Sequence, residues 1–126
     1  MLRRVDCVMF RVADVDAAIA FYRDVMGLEP LWRDGNMAGL AFPETAAPGA
    51  RTELVLHDNP AIPELDVNYK VEDVPQAVKA LSDAGCTLVA GPFVIAIGHC
   101  AVIRDPFGNS LTLVDTTKGL RENNLV

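Results

Sequence analysis

The stretch CVMFRVADV, residues 7–15, returns later in the chain as DVNYKVEDV, residues 66–74. Every matched pair lies 59 positions apart, and the pairs include Val8/Val67, Phe10/Tyr69, Arg11/Lys70, Val12/Val71 and Asp14/Asp73. The same spacing recurs further on, where Leu54-Val55 matches Leu113-Val114. We therefore predict two modules, residues 1–60 and 61–118, and a C-terminal tail, 119–126. Each module is too small to bury a core alone, so we expect them to share one.

Each module has the pattern of a strand, a helix and three further strands. In the first module these are strand 3–12, a helix over 15–26 capped by Asp14, and strands 28–33, 37–42 and 52–57, with a loop at 43–49. In the second they are strand 65–71, a helix from Asp73 to Gly85, and strands 86–90, 99–104 and 110–115. This order predicts an α+β fold of two tandem βαβββ modules that form a curved, cup-like sheet.

The composition excludes several classes of protein. With 51% hydrophobic and 22% charged residues in 126, the chain is expected to fold rather than remain disordered. A net charge of −6 argues against nucleic acid or an anionic membrane as partner. No apolar run reaches the ~20 residues of a membrane helix, and the opening residues alternate, unlike a signal peptide. Three widely spaced cysteines without a C-x-x-C pair indicate a reduced, cytoplasmic protein.

Alternation along the strands divides the side chains between two faces. If Val8, Phe10 and Val12 pack under the helix, their neighbours face the other way, as do the matching positions of the other strands. The candidates for a ligand pocket on that face are Cys7, Met9, Arg11, Glu53, Val55, His57, Asp66, Asn68, Lys70 and Thr112. Converging polar groups are typical of a small-molecule site. The alternative is an ordinary solvated face, which also carries charge in antiparallel sheets.

Several of these side chains have two readings. Arg11 and Lys70 are either surface charges that balance acidic neighbours or binders of a substrate carboxylate or phosphate. His57 is either a solvated rim residue or an acid–base group. Trp32 either stacks on a planar ligand or covers the core or a dimer contact.

Two motifs resemble those of the vicinal oxygen chelate superfamily, the glyoxalase/bleomycin-resistance/extradiol-dioxygenase group. One is VMFRVADVDAAIAFYRDVMGL at residues 8–28, and the other is DPFGNSLTLVD at residues 105–115. The resemblance implies paired βαβββ modules around a cup, the glyoxalase/bleomycin-resistance fold, and a homodimer. Such motifs specify a fold much more than an activity.

The resemblance also implies where a metal would bind. Metal-dependent members place four ligands, usually His or Glu, on the first and last strand of each module. These positions match Cys7, Glu53, Asp66 and Thr112, of which only Glu53 has the usual residue type. A neutral hydroxyl is a weak ligand for divalent ions. We therefore expect no cofactor. If a divalent metal does bind, Glu53, Cys7 and Asp66 would hold it.

The sequence leaves three functional hypotheses. The first is a glyoxalase/bleomycin-resistance-like dimer of unknown specific activity that binds a small, anionic or aromatic molecule in a metal-free cup. The alternative is a metal-dependent lyase, isomerase or dioxygenase of the same superfamily with a non-standard ligand set. The third is a ligand-free structural or regulatory dimer, whose cup would be filled by its own side chains. Whether the protein is an enzyme stays open at this point.

Overall fold

The structure is a computed structural model that describes residues 1–44 and 51–121. Within them the elements are β1 (Arg4–Arg11), α1 (Val15–Asp24), β2 (Glu29–Asp34), β3 (Met37–Ala41), β4 (Glu53–His57), β5 (Leu65–Lys70), α2 (Val74–Asp83), β6 (Thr87–Ile95), β7 (Gly98–Arg104) and β8 (Ser110–Val114). The predicted α+β fold of two βαβββ modules is confirmed. The predicted loop 43–49 and tail 119–126 lie for the most part outside the described residues. Neither described helix has the length and hydrophobicity to cross a bilayer.

The chain forms two compact units. The N-terminal unit is Cys7–Asp66, and the C-terminal unit joins Met1–Asp6 to Val67–Arg121. In the N-terminal unit the strand order is β2-β3-β4-β1, with β4 and β1 parallel and the other neighbours antiparallel. The C-terminal unit repeats this plan as β6-β7-β8-β5, with β8 and β5 parallel. Each helix connects the first strand of its unit to the antiparallel strands.

Both helices begin at the predicted aspartates. The Asp14 side chain accepts a hydrogen bond of 2.9 Å from the N–H of Ala17, and Asp73 accepts one of 2.9 Å from the N–H of Gln76. Each bond satisfies a backbone donor that has no partner inside the helix. Because both caps stand at the same point of the repeat, the 59-residue spacing holds at the start of each helix.

The first helix is shorter than predicted. It ends at Asp24 rather than at residue 26, and Met26, the last residue of the predicted helix, is 54% exposed. The N–H of Leu28 bonds the carbonyl of Tyr22 at 2.9 Å, which folds the chain back around Gly27. Gly27 has φ +80°, a conformation that glycine adopts without a side-chain clash. The residues that the helical pattern assigned to a further turn of α1 therefore form this reversal of the chain.

The strand β6 is longer than predicted, running from Thr87 to Ile95 instead of 86–90. Gly91 and Pro92 read as a break in the sequence pattern. In the structure the pairing with β7 steps over both residues, with register shifts on either side of Ala90, and then resumes at Phe93. An irregularity in the ladder therefore accommodates the proline, which has no N–H to donate.

The helix-covered faces agree with the predicted alternation. In the N-terminal unit the buried side chains under α1 are Leu28, Leu40, Leu54 and Leu56, with Phe10, Val12, Ala18, Ile19 and Tyr22 packed against them. In the C-terminal unit the buried side chains next to α2 are Val71, Val74, Ala77, Val78, Ala101, Ile103 and Leu113. Phe10 and Val12 are found under α1 as predicted, and Leu54, Leu56 and Leu113 are buried at alternate positions of β4 and β8. These leucines are the kind of core residue whose truncation to alanine costs about 2–5 kcal/mol.

A buried carboxylate that the sequence analysis did not single out connects three elements of the C-terminal unit. Asp115, immediately after β8, accepts hydrogen bonds from the N–H of Val74 at 2.7 Å and from the N–H of His99 at 2.9 Å. It also accepts one from the Thr117 hydroxyl at 2.9 Å. Burial acts to raise the pKa of Asp115, but the bonds from Val74, Thr117 and His99 outweigh it and hold that pKa below its ordinary value.

The substitution Asp115→Asn should lower the free energy of unfolding by about 2–3 kcal/mol, because an amide N–H would face backbone donors that now bond a charged oxygen. Chemical denaturation measures the change. The control is Asp83→Asn on the exposed end of α2, expected to stay within about 0.5 kcal/mol of the parent. Equal effects from both substitutions would contradict this account of Asp115.

The same carboxylate gives a pH dependence. Its folded pKa lies below the unfolded value of about 3.9, so its contribution is fully present above that pH. The contribution is lost as the pH falls through the folded pKa. The stability difference between the parent and Asp115→Asn should therefore shrink under acid conditions.

Candidate functional site

The face of the N-terminal sheet opposite α1 is mainly apolar. Its buried side chains, hereafter the Trp32 cluster, are Cys7, Met9, Leu31, Trp32, Ala41 and Val55. Met37 and Ile62 pack against them. We predicted a mixed face rich in ionisable groups. The candidates Cys7, Met9 and Val55 are instead part of a packed cluster, because apolar residues from β2 and β3 meet them there.

Trp32 lies against the backbone of Gly39 and bonds Glu53. Its indole Nε1–H donates to Oε1 of Glu53 at 2.7 Å. A Cβ on Gly39 would lie 2.0 Å from Trp32 Nε1 and 2.7 Å from Glu53 Oε1, so no larger residue fits beneath the ring. Of the two readings of Trp32, the structure shows the covering one, since the ring is buried in the cluster. Gly39 is the functional residue that the sequence analysis missed, and its only signal was a glycine inside an apolar strand.

The four positions matched to metal ligands are not arranged alike in the two units. Cys7 and Glu53 are direct neighbours on the parallel strands β1 and β4. In the C-terminal unit the partner of Thr112 across β5 and β8 is Asn68. The 59-residue repeat predicts Asp66, two positions earlier, as the strand partner of Thr112, because Cys7 is the partner of Glu53. The register of the parallel pair therefore differs by two residues between the repeats. Asp66 and Thr112 are both half-buried.

The donor set does not fit the metal that the superfamily implies. Within residues 1–44 and 51–121, no three His, Cys, Asp or Glu side chains come together as a metal-binding group. Glu53 Oε1 already faces the positive end of an indole N–H, which competes with a cation for the same lone pairs. Thr112 and its strand partner Asn68 offer only neutral oxygens, which are weak partners for a transition metal.

Of the two readings of His57, the structure contradicts the solvated one, since the residue is 1% exposed at the end of β4. Its Nδ1 accepts a hydrogen bond of 3.0 Å from the N–H of Asn59, so the neutral ring carries its proton on Nε2. Among residues 1–44 and 51–121, nothing accepts a hydrogen bond from that buried Nε2. Burial lowers the pKa of His57, and Arg11 lowers it further, while Asp58 and Asp66 act in the opposite direction.

Arg11 holds the segment that follows His57. Its guanidinium donates to the carbonyl of Pro60 at 3.1 Å and to Glu64 Oε1 at 3.1 Å, and its backbone N–H bonds the Glu64 carbonyl. This segment carries Ile62, which packs against the Trp32 cluster. Of the two readings of Arg11, the structure shows the one in which its charge balances a neighbouring acid, Glu64. Arg11 also holds residues 59–64 in place, a segment hereafter called the strap.

The remaining candidates are in the C-terminal unit, on the face opposite α2. Asn68 and Lys70 are both buried there. Lys70 Nζ donates to the hydroxyl of Thr116. His99, at the start of β7, lies 3.3 Å from Asp115 Oδ2 through its Nδ1. The face that carries Asn68 and Lys70 is more polar than its counterpart in the N-terminal unit.

Comparison with known proteins identifies the family. The profile of the Glyoxalase/Bleomycin resistance protein/Dioxygenase superfamily matches residues 4–113. The chain belongs to this superfamily, and the resemblance drawn from the two motifs is confirmed. Among curated proteins, none matches the chain at a significant level.

Solved structures share the fold at low identity. A complex of Streptomyces coelicolor methylmalonyl-CoA epimerase with 2-nitronate-propionyl-CoA is 20% identical, with a TM-score of 0.72 over 93% of this chain and 99% of that chain. The Mycobacterium tuberculosis methylmalonyl-CoA epimerase is 22% identical, with a TM-score of 0.65 over 92% and 89%. A structure of NAD-dependent benzaldehyde dehydrogenase from Legionella pneumophila is 17% identical, with a TM-score of 0.65 over 88% and 98%. Such different activities at similar likeness show that the fold alone does not carry the reaction.

The substitution Gly39→Ala should displace Trp32 and break its bond to Glu53, because the new Cβ would overlap the indole ring. The expected cost is about 1–3 kcal/mol of unfolding free energy, with a red shift of tryptophan emission. Trp32 is the single tryptophan of the chain, so the emission reports it alone.

A double-mutant cycle provides the control. In a Trp32→Ala background, the Gly39→Ala change should cost much less because the clash is gone. An equal cost in both backgrounds would rule out the proposed contact.

His57 should make the protein less stable as the pH falls from about 7 toward 5. Its folded pKa lies below the unfolded value of about 6.5, so the unfolded chain binds the proton first and unfolding becomes easier. Replacing His57 by Phe should flatten the dependence of unfolding free energy on pH in this range, whereas replacing the other histidine, His99, should leave the contribution of His57 in place. An unchanged profile in the His57→Phe variant would contradict the prediction.

Proposed function

We propose that the protein binds a small molecule without a metal ion, on the face of the N-terminal sheet that the Trp32 cluster forms. The observation that carries this proposal is the His57 Nε2–H, a buried donor without an acceptor. A buried polar group left unsatisfied costs about 1–3 kcal/mol, and a ligand oxygen that accepts this N–H recovers part of that cost.

The side chains around this donor suggest the chemistry of the ligand. Val55 is two residues from His57 on the same face of β4, and Met9 and Trp32 belong to the same cluster. These side chains favour an apolar or aromatic body. The imidazole N–H favours a carbonyl or carboxylate oxygen at one end. An aromatic or short aliphatic carboxylate therefore fits better than a polar sugar or a nucleotide.

Entry requires the strap to move, since Ile62 and the ring of Trp32 cover the face. The strap is held by Arg11 through the Pro60 carbonyl and the exposed Glu64 side chain. A partly exposed ion pair of this kind contributes little to stability, so its opening is inexpensive. Arg11 thus affects the entry and exit of the ligand by holding the strap, and it does not contact the ligand directly.

The other expectations extend this proposal. The superfamily resemblance supports a homodimer, and the widely spaced free cysteines support the cytoplasm as compartment. The modules are proposed to divide at residues 60 and 118. No reaction is assigned, because the proposal concerns binding alone.

One observation favours a second candidate, a ligand-free structural or regulatory protein. The Trp32 cluster fills the face with the chain's own side chains, which we named above as the mark of that class. In this case the unpaired N–H of His57 would be a stability cost with no compensating ligand.

The experiment that separates the two uses Trp32 emission and native mass spectrometry with benzoate, benzamide and hexanoate as probes. The binding proposal expects saturable emission changes and a retained ligand for at least one probe. It also expects a roughly tenfold weaker affinity in His57→Phe, the loss of one hydrogen bond of about 1.4 kcal/mol. His99→Gln is the matched control and should bind like the parent.

Two outcomes overturn the proposal. If no probe binds at millimolar concentration, and neither does any carboxylate extracted from native lysate, the structural candidate replaces it. If binding disappears on treatment with a chelator and returns with a divalent ion, the site depends on a metal.

A further inference from the structure

Lys70 is a buried amine without a charged partner. It lies at the end of β5 with 8% of its surface exposed, and its Nζ donates to the hydroxyl of Thr116. Within the part of the chain that the structure describes, no ion pair joins Lys70 to a carboxylate. An ammonium so placed loses most of its hydration and gains only one neutral partner in return.

The surroundings of Lys70 shift its protonation equilibrium toward the neutral amine. Val114 is its direct neighbour across β8 and is itself buried. Burial is the largest influence and lowers the pKa of Lys70. The charged groups that act on it are Asp6 and Asp115, which raise the pKa, and Arg4 and Arg3, which lower it. Since these opposing charges offset one another, burial decides the direction.

The other two lysines of the chain offer a direct comparison. Lys79 on α2 and Lys118 beyond β8 are both exposed to solvent. An exposed lysine has a pKa near 10.4, so about four amines in ten thousand are neutral at pH 7. Only the neutral amine has the lone pair that attacks a carbonyl group.

The geometry points to Lys70 as a nucleophilic amine that captures small aldehydes or ketones as an imine, a covalent site that is independent of the proposed binding face in the N-terminal unit. Two neighbouring side chains support such a site. The Thr116 hydroxyl, already bonded to Nζ, is placed to pass a proton between nitrogen and the carbonyl oxygen. The buried amide of Asn68, on the same face of β5, is a polar neighbour for a carbonyl ligand.

The step balances without an outside oxidant or reductant. The nitrogen lone pair forms a bond to the carbonyl carbon, and the C=O π pair moves to the oxygen. The oxygen gains the proton that the nitrogen releases, which gives a carbinolamine. Loss of the hydroxyl group with the remaining nitrogen proton releases water and leaves the C=N bond. Hydrolysis reverses the sequence, so the adduct is reversible until it is reduced.

The test treats the intact protein with propanal and sodium cyanoborohydride at pH 7, and peptide mass spectrometry then locates the propyl groups. We expect Lys70 to be modified at least tenfold faster than Lys79 and Lys118. Peptide mapping also separates the N-terminal amine of Met1, which reacts at this pH in any protein.

Two controls keep the result interpretable. In 8 M urea the three lysines should react at similar rates, which assigns the selectivity to the fold. At pH 10.5 in the folded protein the preference for Lys70 should shrink, because exposed amines are then largely neutral. Thr116→Val should slow modification of Lys70 several-fold and leave Lys79 unchanged.

A Lys70 that reacts no faster than the exposed lysines in the folded protein overturns the inference. This outcome would show that burial shields the amine without activating it. Binding of the carboxylate probes to the N-terminal unit is measured separately by Trp32 emission, so failure of one proposal does not imply failure of the other.

Discussion

The contact between Trp32 and Gly39 decides what the N-terminal unit can do. A glycine on β3 allows the indole ring to lie flat against the strand, and the ring then reaches the Glu53 carboxylate on β4. In this position the ring of Trp32 covers the apolar face. Its N–H also occupies Glu53, which is the one side chain of the usual ligand type among the four matched positions. Packing and hydrogen bonding occupy this face of the N-terminal sheet.

The sequence predicted the parts of the fold that depend on local chemistry. Asp14 and Asp73 begin the helices because a carboxylate next to free backbone N–H groups is favourable in any context. The leucines at alternate positions of β4 and β8 pack under the helices for a similar reason. Where the outcome depends on distant residues, prediction failed. The continuation of β6 past Pro92 required a ladder irregularity that only the pairing with β7 reveals.

The candidate site was predicted less well than the fold, and the reasons lie in particular residues. His57 stands in the polar run His57-Asp58-Asn59, which suggested solvent, but its ring is buried and accepts a hydrogen bond from the N–H of Asn59. Asp115 follows an apolar strand and carried no signal that three backbone and hydroxyl donors would converge on it. The repeat spacing of 59 located both helix starts, yet the parallel strands of the two units pair with registers two residues apart. A repeat in the sequence does not show such a difference in strand register.

The outer strand β6 has a consequence for the behaviour of the protein at high concentration. It is nine residues long, ends the sheet of its unit, and exposes Leu88, Val89, Phe93 and Val94. An apolar edge of this length would normally invite a strand from a neighbouring molecule and begin ordered aggregation. Pro92 has no N–H to donate, and the pairing of the strand with β7 is interrupted around it. A strand from another molecule would meet two short stretches of edge that are out of line with each other. This proline therefore acts as a gatekeeper residue against fibre growth.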